Sequence, residues 1–192
     1  MRILFAALAI AILPLLAMPA IAQENGGLYT EDWFAVTFKD MREDLETAQS
    51  EGKRLALIVE QYGCIYCRKL HEEVLSDPEV ADFIKANFLV VQYNMFGDEE
   101  VTDFDGEVLT EEEAVRRWGV IFTPTIIFLA DEVSGDVVKA SEAAVQTMPG
   151  AFGKWTTLNM FRWVYKKGYE GEEHFQKYHA RIIEELRAEG RL

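Results

Sequence analysis

The sequence predicts an α/β domain that contains a pair of parallel strands, and three observations support this prediction. Residues 55–59 form an apolar run with the length and composition of a strand buried on both faces. Residues 88–93 form a second run of this kind. Between them lie two helical patterns separated by a break at residues 76–79. Strands that are joined through helices pair in parallel, because the helical crossover returns the chain to the same end of the sheet.

A helix is predicted on the N-terminal side of the first strand. Thr30 can cap it and Gly52 can end it, and apolar side chains recur between these residues at helical spacing. The apolar positions are Phe34, Phe38, Met41, Leu45 and Ala48. The sequence therefore predicts that one face of this helix, including its first turns, packs on the sheet.

Two helices are predicted between the strands. Gly63 turns the chain after the first strand, and the next helix runs from Cys64 to about Leu75. Asp77 is the predicted cap of the following helix and Pro78 lies in its first turn, where the missing N–H of proline has no cost.

An acidic segment follows the second strand. Residues 97–113 contain many acids and no base, and we expect a solvated loop whose charge favours a basic partner surface. Residues 103–107 resemble part of a calcium loop, although the full set of ligands is absent. Thr110 and Glu113 predict a capping box for a short helix that ends near Trp118.

The C-terminal half is predicted to hold a hairpin and two helices. Residues 126–130 and 137–139 flank a polar turn and predict an antiparallel hairpin. Helices are predicted at about 154–167 and 170–187, with Gly168 between them. We therefore expect residues 23–192 to form a single domain with a helical C-terminal extension at about 154–187.

Residues 1–22 have the pattern of a secretory signal peptide. Arg2 supplies a positive charge, an apolar run follows, and Ala20 and Ala22 place small residues before Gln23. The alternative is an N-terminal membrane anchor, although the apolar run is shorter than the roughly 20 residues that span a bilayer. We expect a soluble protein exported to the periplasm, where disulfides persist.

The charge balance excludes one class of partner. The chain has 33 acidic residues and 19 Lys and Arg residues, which gives a net charge of −14. A protein that binds nucleic acid non-specifically needs a basic face to neutralise the phosphates. We therefore expect no nucleic-acid partner.

The strongest functional signal is the pair Cys64 and Cys67, which are the two cysteines of the chain. The pair opens a helix after a buried strand, where unpaired backbone N–H groups favour a thiolate on the first cysteine. The spacing lets Cys67 reach the sulfur of Cys64 across one helical turn. We expect an exposed, reactive first thiol and a sheltered second thiol, which together attack a disulfide and resolve the mixed disulfide.

Other uses of a C-x-x-C pair are less well supported. A structural disulfide that closes so small a loop removes little chain entropy, and haem attachment needs a histidine where this chain has Arg68. A zinc site needs four ligands, and the histidines of the chain lack a second paired motif. His71 is expected on the surface of the helix, one turn after Cys67, with tuning of the pair as the alternative. We expect no metal.

The order of these features resembles the thioredoxin superfamily. The chain has a strand, a C-x-x-C pair at a helix start, and Thr123-Pro124-Thr125 before another strand. The likeness covers about residues 48–140. Residues 63–80, 118–125 and 148–150 are similar to exported thioredoxin-like proteins, including the SoxW-type thioredoxins of bacterial sulfur-oxidation systems. The resemblance implies a thioredoxin fold, a central mixed β-sheet flanked by helices, with an added N-terminal helix and a C-terminal helical extension.

The resemblance also implies roles for individual residues. It makes Cys64 the nucleophile and Cys67 the resolving thiol. It implies a cis peptide bond at Pro124, which would lie against the cysteine pair, and pairing of the Thr123 backbone with the substrate chain. No cofactor is implied beyond the redox-active pair itself.

Two positions depart from the family pattern. Typical thioredoxins have a buried Asp six residues before the first cysteine, where this chain has Ile58. Glu60 is the nearest acid and is predicted to accept the proton of Cys67, the alternative being a solvated acid at a strand end. Ile65 and Tyr66, which are expected to contact substrate, lack the proline common in the family. The redox potential of the family is therefore not transferred to this chain.

Together these features predict a periplasmic thiol–disulfide oxidoreductase that reduces disulfides of exported partner proteins. The resemblance implies that electrons come from a membrane thiol carrier of the type that serves exported thioredoxins. One alternative is the same chemistry in the other direction, as a dithiol oxidase or isomerase. A second alternative is a non-enzymatic module that binds copper or zinc through the two thiolates.

Overall fold

The computed structural model describes residues 23–25 and 27–192, so the predicted signal peptide lies outside the described residues. In chain order, the strands are β1 (Gln23–Asn25), β2 (Leu28–Thr30), β3 (Arg54–Glu60), β4 (Phe88–Asn94), β5 (Glu100–Thr102), β6 (Val108–Thr110), β7 (Thr125–Leu129) and β8 (Ala144–Pro149). The helices are α1 (Met41–Ser50), α2 (Ile65–Leu70), α3 (Pro78–Asn87), α4 (Glu111–Arg117), α5 (Ala140–Ala143), α6 (Lys154–Tyr165) and α7 (Phe175–Ala188).

The central sheet has four strands in the order β4-β3-β7-β8. Strand β3 pairs in parallel with β4 and antiparallel with β7, and β7 pairs antiparallel with β8. The predicted mixed sheet and its parallel pair are confirmed. Two further antiparallel pairs, β1 with β2 and β5 with β6, lie outside this sheet.

Helix α1 begins at Met41 and not near Thr30, so the predicted start of the N-terminal helix was wrong. Asp40 caps the helix, because its carboxylate accepts hydrogen bonds from the N–H groups of Arg42 and Glu43. Residues 28–40, called here the N-terminal segment, instead contact the edge strand β4 through a bridge between Ala35 and Val91. Phe38 is 91% exposed, so its helical spacing does not reflect a packed helix face.

The two predicted helices between β3 and β4 are confirmed. The first of these helices consists of α2 followed directly by a π-helical turn, His71–Leu75. Asp77 caps α3 by accepting a hydrogen bond from the N–H of Glu79, and Pro78 is its first residue. The capping box of Thr110 and Glu113 at the start of α4 is also present.

The hairpin predicted at residues 126–130 and 137–139 has a different second strand. Strand β7 pairs with β8, and α5 lies between them. In the register, Ile127 lies opposite Thr147 and Phe128 opposite Gln146. Because β8 contains these polar residues, its composition does not mark it as a strand of the central sheet.

The acidic segment 97–113 is not a solvated loop. Strands β5 and β6 form a hairpin within it, and Asp103 at their turn is buried. Asp103 accepts hydrogen bonds from the indole N–H of Trp118 at 2.9 Å and from the backbone N–H of Ala140 at 3.0 Å. Arg117 pairs with both Asp103 and Asp105, at 3.2 and 2.5 Å. The acids of the partial calcium pattern therefore have a cationic side chain as their partner.

A second cation neutralises the other buried acid of this segment. Glu111 is buried and forms an ion pair with Lys39 from the N-terminal segment. Lys39 also contacts the exposed carboxylate of Glu99 at 2.6 Å. The segment therefore offers a basic partner less free negative charge than its composition indicates.

Two hydrophobic clusters cover the two faces of the central sheet. Alternate residues of β3 belong to different clusters, with Ala56 and Ile58 on one face and Leu57 and Val59 on the other. Helices α1 and α4 cover the Leu57 face. The other face is covered by α2, α3, α6 and α7.

Helix α6 completes the core on the Ile58 face of the sheet. Phe161 is buried, and its ring packs edge-to-face against Phe88 and Phe128 with centroid distances of 4.8 Å to each. Tyr178 of α7 is buried in the same cluster. The C-terminal helices therefore belong to the main hydrophobic core.

Replacement of Phe161 by alanine should lower the free energy of unfolding by about 3–5 kcal/mol, because it leaves a cavity between two strands and a helix. The same replacement at the exposed Phe38 is the matched control and should change it by less than about 0.5 kcal/mol. Urea titrations of both variants provide the measurement. Equal losses would contradict both the core position of α6 and the exposed position of Phe38.

Candidate active site

Cys64 and Cys67 form a disulfide at the start of α2, with their Cα atoms 5.2 Å apart. The chain leaves β3 at Glu60 and turns at Gly63, whose φ of +69° is a left-handed value that favours glycine. Cys64 is the N-cap residue of α2, and its sulfur accepts a hydrogen bond from the Cys67 N–H at 3.0 Å. The first sulfur therefore lies where the helix N-terminus favours negative charge.

Both cysteines are largely covered. Cys64 is 6% exposed and Cys67 is 1% exposed. The sequence-based expectation of an exposed first thiol is thus too strong, although the ranking of the two cysteines is as expected.

The loop before β7 lies against the disulfide. The hydroxyl of Thr123 donates to the sulfur of Cys64 at 3.4 Å, and the Thr123–Pro124 peptide bond is cis. Pro124 is buried, and its carbonyl accepts a hydrogen bond from the Gly150 N–H at 2.7 Å. This bond ties the loop to the end of β8.

Exposed apolar side chains lie near the cysteines and Thr123 in the sequence. We call them the apolar rim: Tyr62, Ile65, Tyr66, Ile121 and Phe122. Ile121 and Phe122 are 75% and 62% exposed and immediately precede Thr123. The sequence analysis included Ile65 and Tyr66 but missed these two. The sequence feature that could have identified Ile121 and Phe122 is an apolar pair that lies next to the Thr-Pro motif but outside any predicted strand. Exposed apolar patches of this kind mark surfaces that contact other molecules.

Glu60, the last residue of β3, is fully buried, so the alternative of a solvated acid is wrong. One of its carboxylate oxygens lies 3.0 Å from Nε2 of His71. The side-chain amide of Gln92 donates to the same oxygen. The carboxylate therefore has hydrogen-bond partners from both the π-helical turn and β4.

His71 is also fully buried, and its predicted surface position was wrong. Its Nδ1 atom lies 2.9 Å from a carboxylate oxygen of Glu31, so the imidazole stands between two buried carboxylates. We call Glu31, His71 and Glu60 the buried triad. Burial by itself lowers the pKa of His71. The hydrogen bonds and charges of Glu31 and Glu60 outweigh this effect and raise the pKa from its ordinary value of 6.5 to about 9. At neutral pH the imidazole is therefore a cation that donates to both carboxylates.

Sequence reasoning missed the triad for two different reasons. His71 had a signal, because Cys67, Leu70 and Val74 place it on the apolar face of its helix. Glu31 had none, because it precedes His71 by 40 residues and belongs to a segment that was predicted to be helical.

Among the residues that the structure describes, no group of three or more His, Cys, Asp or Glu side chains is arranged to hold a metal ion.

Comparisons with known proteins agree with this arrangement. The profile of a family described as a thioredoxin-like domain matches residues 41–140. No curated protein matches the chain. Among solved structures, a thioredoxin from Thermus thermophilus is 26% identical with a TM-score of 0.52, over 67% of this chain and 86% of that chain. A thioredoxin-fold protein from Helicobacter pylori is 19% identical with a TM-score of 0.50, over 71% of this chain and 84% of that chain.

The buried triad predicts how stability depends on pH. The pKa of His71 is raised from 6.5 to about 9, so the folded state holds a proton that the unfolded state releases between these values. The stabilisation is complete below pH 6.5 and is lost as the pH rises through about 9. It amounts to at most about 3.5 kcal/mol, since one pKa unit corresponds to about 1.4 kcal/mol. Urea titrations of the oxidised protein should show this decrease.

His71→Gln should abolish the decrease between pH 6.5 and 9. His179→Gln is the matched control, because burial lowers the pKa of His179 and its titration cannot produce a loss in this range. A wild-type profile that is flat up to pH 9 would contradict the assignment of a cationic His71.

Proposed function

Because the chain belongs to the thioredoxin-like domain family, we propose that it is a periplasmic thiol–disulfide oxidoreductase that reduces disulfides of exported partner proteins. The observation that carries the proposal is the Cys64–Cys67 disulfide at the N-terminus of α2, with Thr123 against the sulfur of Cys64. A helix N-terminus lowers the pKa of a cysteine thiol, and the thiolate is the attacking species in disulfide exchange.

The reaction has two steps. In the reduced protein, the thiolate of Cys64 attacks a disulfide of the partner, and one partner sulfur leaves and takes up a proton. Cys67 then gives its proton to Glu60 and attacks the sulfur of Cys64, which expels the second partner sulfur. The partner gains two electrons, and Cys64 and Cys67 return to the disulfide. The second step is fast because the two sulfurs are held at high effective concentration.

The apolar rim and the Thr123 backbone form the proposed substrate surface. Ile65 and Tyr66 lie between the two cysteines in the chain, and Ile121 and Phe122 immediately precede Thr123. An extended partner segment that pairs with the backbone of Thr123 places its own sulfur near Cys64, as in other cases of strand addition. The apolar side chains of such a segment contact the rim.

The proposal extends to location and electron supply. The signal-peptide pattern of residues 1–22 supports export, with residues 23–192 as a single domain. In the described part of the chain, no helix combines the length and apolar character needed to cross a membrane. Electrons come from a membrane thiol carrier of the type that serves exported thioredoxins. The resemblance to SoxW-type thioredoxins supports a role in sulfur oxidation, with an exported protein that has a reducible disulfide as the partner.

The two cysteines should behave differently when each is replaced. Cys67→Ala should retain attack but lose release, and should therefore accumulate mixed disulfides with its partner. Cys64→Ala is the matched control and should trap nothing, because Cys67 is buried away from the partner surface. Non-reducing gels of periplasmic extracts and alkylation rates against pH provide the measurements. Faster alkylation of Cys64→Ala at neutral pH, or better trapping by it, would contradict the assigned roles.

The redox potential of the purified wild-type protein decides the direction of electron flow. Equilibration with glutathione should give a potential near or below about −250 mV, which is typical of a reductant. A value near about −120 mV would instead identify a dithiol oxidase. Copper or zinc that co-purifies with the reduced protein in stoichiometric amount would favour the metal-binding alternative.

Export should leave a mature chain that begins at Gln23, because Ala20 and Ala22 provide the small residues that signal peptidase requires. N-terminal sequencing of the protein from the periplasmic fraction tests this. Ala22→Arg is expected to block processing, while Glu24→Gln, on the other side of the proposed cleavage site, should leave it unchanged. A membrane-bound form that keeps Met1 would contradict the prediction.

A further inference from the structure

A cavity of about 470 Å³ lies at the end of the central sheet, beside the turn that precedes Cys64. Its walls come from the N-terminal segment, from the end of β4 with the loop that follows, and from Tyr62 in the turn. Cavities of about 300–1,000 Å³ are typical of binding sites. More than half of the lining residues belong to the N-terminal segment, which precedes the family match at residues 41–140. The thioredoxin-like domain alone therefore does not form this cavity.

Tyr62 connects the cavity to the disulfide. It lines the cavity, belongs to the apolar rim and precedes Cys64 by two residues. Two residues of chain span at most about 7 Å, so the Cα atoms of Tyr62 and Cys64 are no further apart than this. Strand β3 lies between β4 and β7, so the cavity at the end of β4 and the Thr123 loop before β7 flank the end of β3. A partner segment with its sulfur at Cys64 therefore reaches the cavity with residues a few positions away.

The cavity has negative charge that the fold does not neutralise. Two of its acids, Glu31 and Glu111, are buried and have cationic partners, and Glu99 shares a lysine with Glu111. Asp32 and Asp98 also line the cavity and are exposed. In the part of the chain that the structure describes, neither of these two carboxylates forms an ion pair. They are therefore available to a cation from another molecule.

The cavity also has apolar walls and a free stretch of backbone. Leu28, Phe34 and Val36 line it, and Val36 is fully exposed. Among the described residues, no backbone–backbone hydrogen bond joins residues 36–38 to the rest of the chain. An extended peptide can pair with such a free backbone. Lys and Arg side chains suit the remaining features, because their apolar stems pack on apolar walls while their charged ends pair with carboxylates.

We propose that this cavity binds a Lys or Arg side chain of the partner protein, a few residues from the disulfide that Cys64 attacks. The inference rests on the proposed function and deepens it by naming the class of substrate. The preferred substrates are exported proteins whose reducible disulfide lies in an extended segment with a basic residue nearby. Asp32 and Asp98 then determine which disulfide is reduced, and the chemistry stays with the two cysteines.

The expected preference is modest, because ion pairs at exposed positions contribute little to binding. Two carboxylates that act on one cation should increase the rate of attack about fivefold. The preference should decrease with added salt, because ions screen exposed charges. It should also depend on the distance along the peptide between the basic residue and the cysteine, because the cavity occupies one fixed place beside the disulfide.

The test compares peptide disulfides that differ in a single side chain. Each substrate is a disulfide-linked dimer of a short neutral peptide with one cysteine. A Lys is placed at each position from one to six residues before or after the cysteine, and the matched peptide has norleucine at that position. Reduced protein is mixed with each dimer, and the released peptide is measured after an acid quench. The second-order rate constant should be about fivefold larger for Lys at one or two positions, and unchanged within about twofold at the others.

A double variant and its matched control show whether the cavity causes the preference. Asp32→Asn combined with Asp98→Asn should abolish the preference for Lys. Asp82→Asn combined with Glu184→Gln removes the same charge from exposed positions on α3 and α7, outside the cavity, and should retain it. Bis(2-hydroxyethyl) disulfide has no side chain that could enter the cavity. All of these proteins should reduce it at the same rate within about twofold.

Equal rates for Lys and norleucine at every position would overturn the inference and leave the proposed function intact. A preference of the same size at all positions, or one that both double variants lose equally, would also overturn it, because it indicates a general attraction between an acidic protein and a basic peptide. Failure of the wild-type protein to reduce bis(2-hydroxyethyl) disulfide and every peptide would instead contradict the proposed function itself.

Discussion

Strand β3 is enclosed by protein on both faces and both edges, and the position of every part of the candidate site follows from this constraint. All seven of its residues are buried, and it pairs with β4 on one side and β7 on the other. Its last residue, Glu60, is therefore buried although its side chain is polar. Because Val59 lies opposite Thr125 in the register, the start of β7 is level with the end of β3. This pairing brings the loop of Thr123 and Pro124 to the turn that holds Cys64.

The parts of the fold that were predicted correctly from the sequence are those determined by local chemistry. The buried strands, the cap at Asp77 and the capping box at Thr110 are each encoded within a few residues, and all are present. The errors arose where a non-local contact decides the structure. Phe34 and Phe38 have helical spacing, but the edge of the sheet and the cap at Asp40 place the helix start later. The polar strand β8 depends on pairing with β7 more than on its own composition.

The candidate site divides in the same way. Cys64, Cys67 and the Thr-Pro motif are recognisable from short patterns, and the structure brings them together. The surroundings of Glu60 cannot be recognised from short patterns. Its partner His71 follows it by 11 residues, and Glu31 precedes His71 by 40 residues. Charge counts alone also mislead, since Asp103 and Glu111 are buried with basic partners from other elements. Such internal pairs leave the net charge unchanged, but they reduce the number of acidic side chains that face solvent.

The N-terminal segment also affects the edge of the central sheet. Strand β4 is the outer strand on that side, and its only described backbone cover there is the bridge between Ala35 and Val91. Without this cover, an apolar strand of seven residues, Phe88–Asn94, would present unpaired N–H and C=O groups along the molecule. Such an edge is a template for pairing with the strands of other chains. The bridge between Ala35 and Val91 therefore occupies part of an edge that would otherwise be open to such pairing.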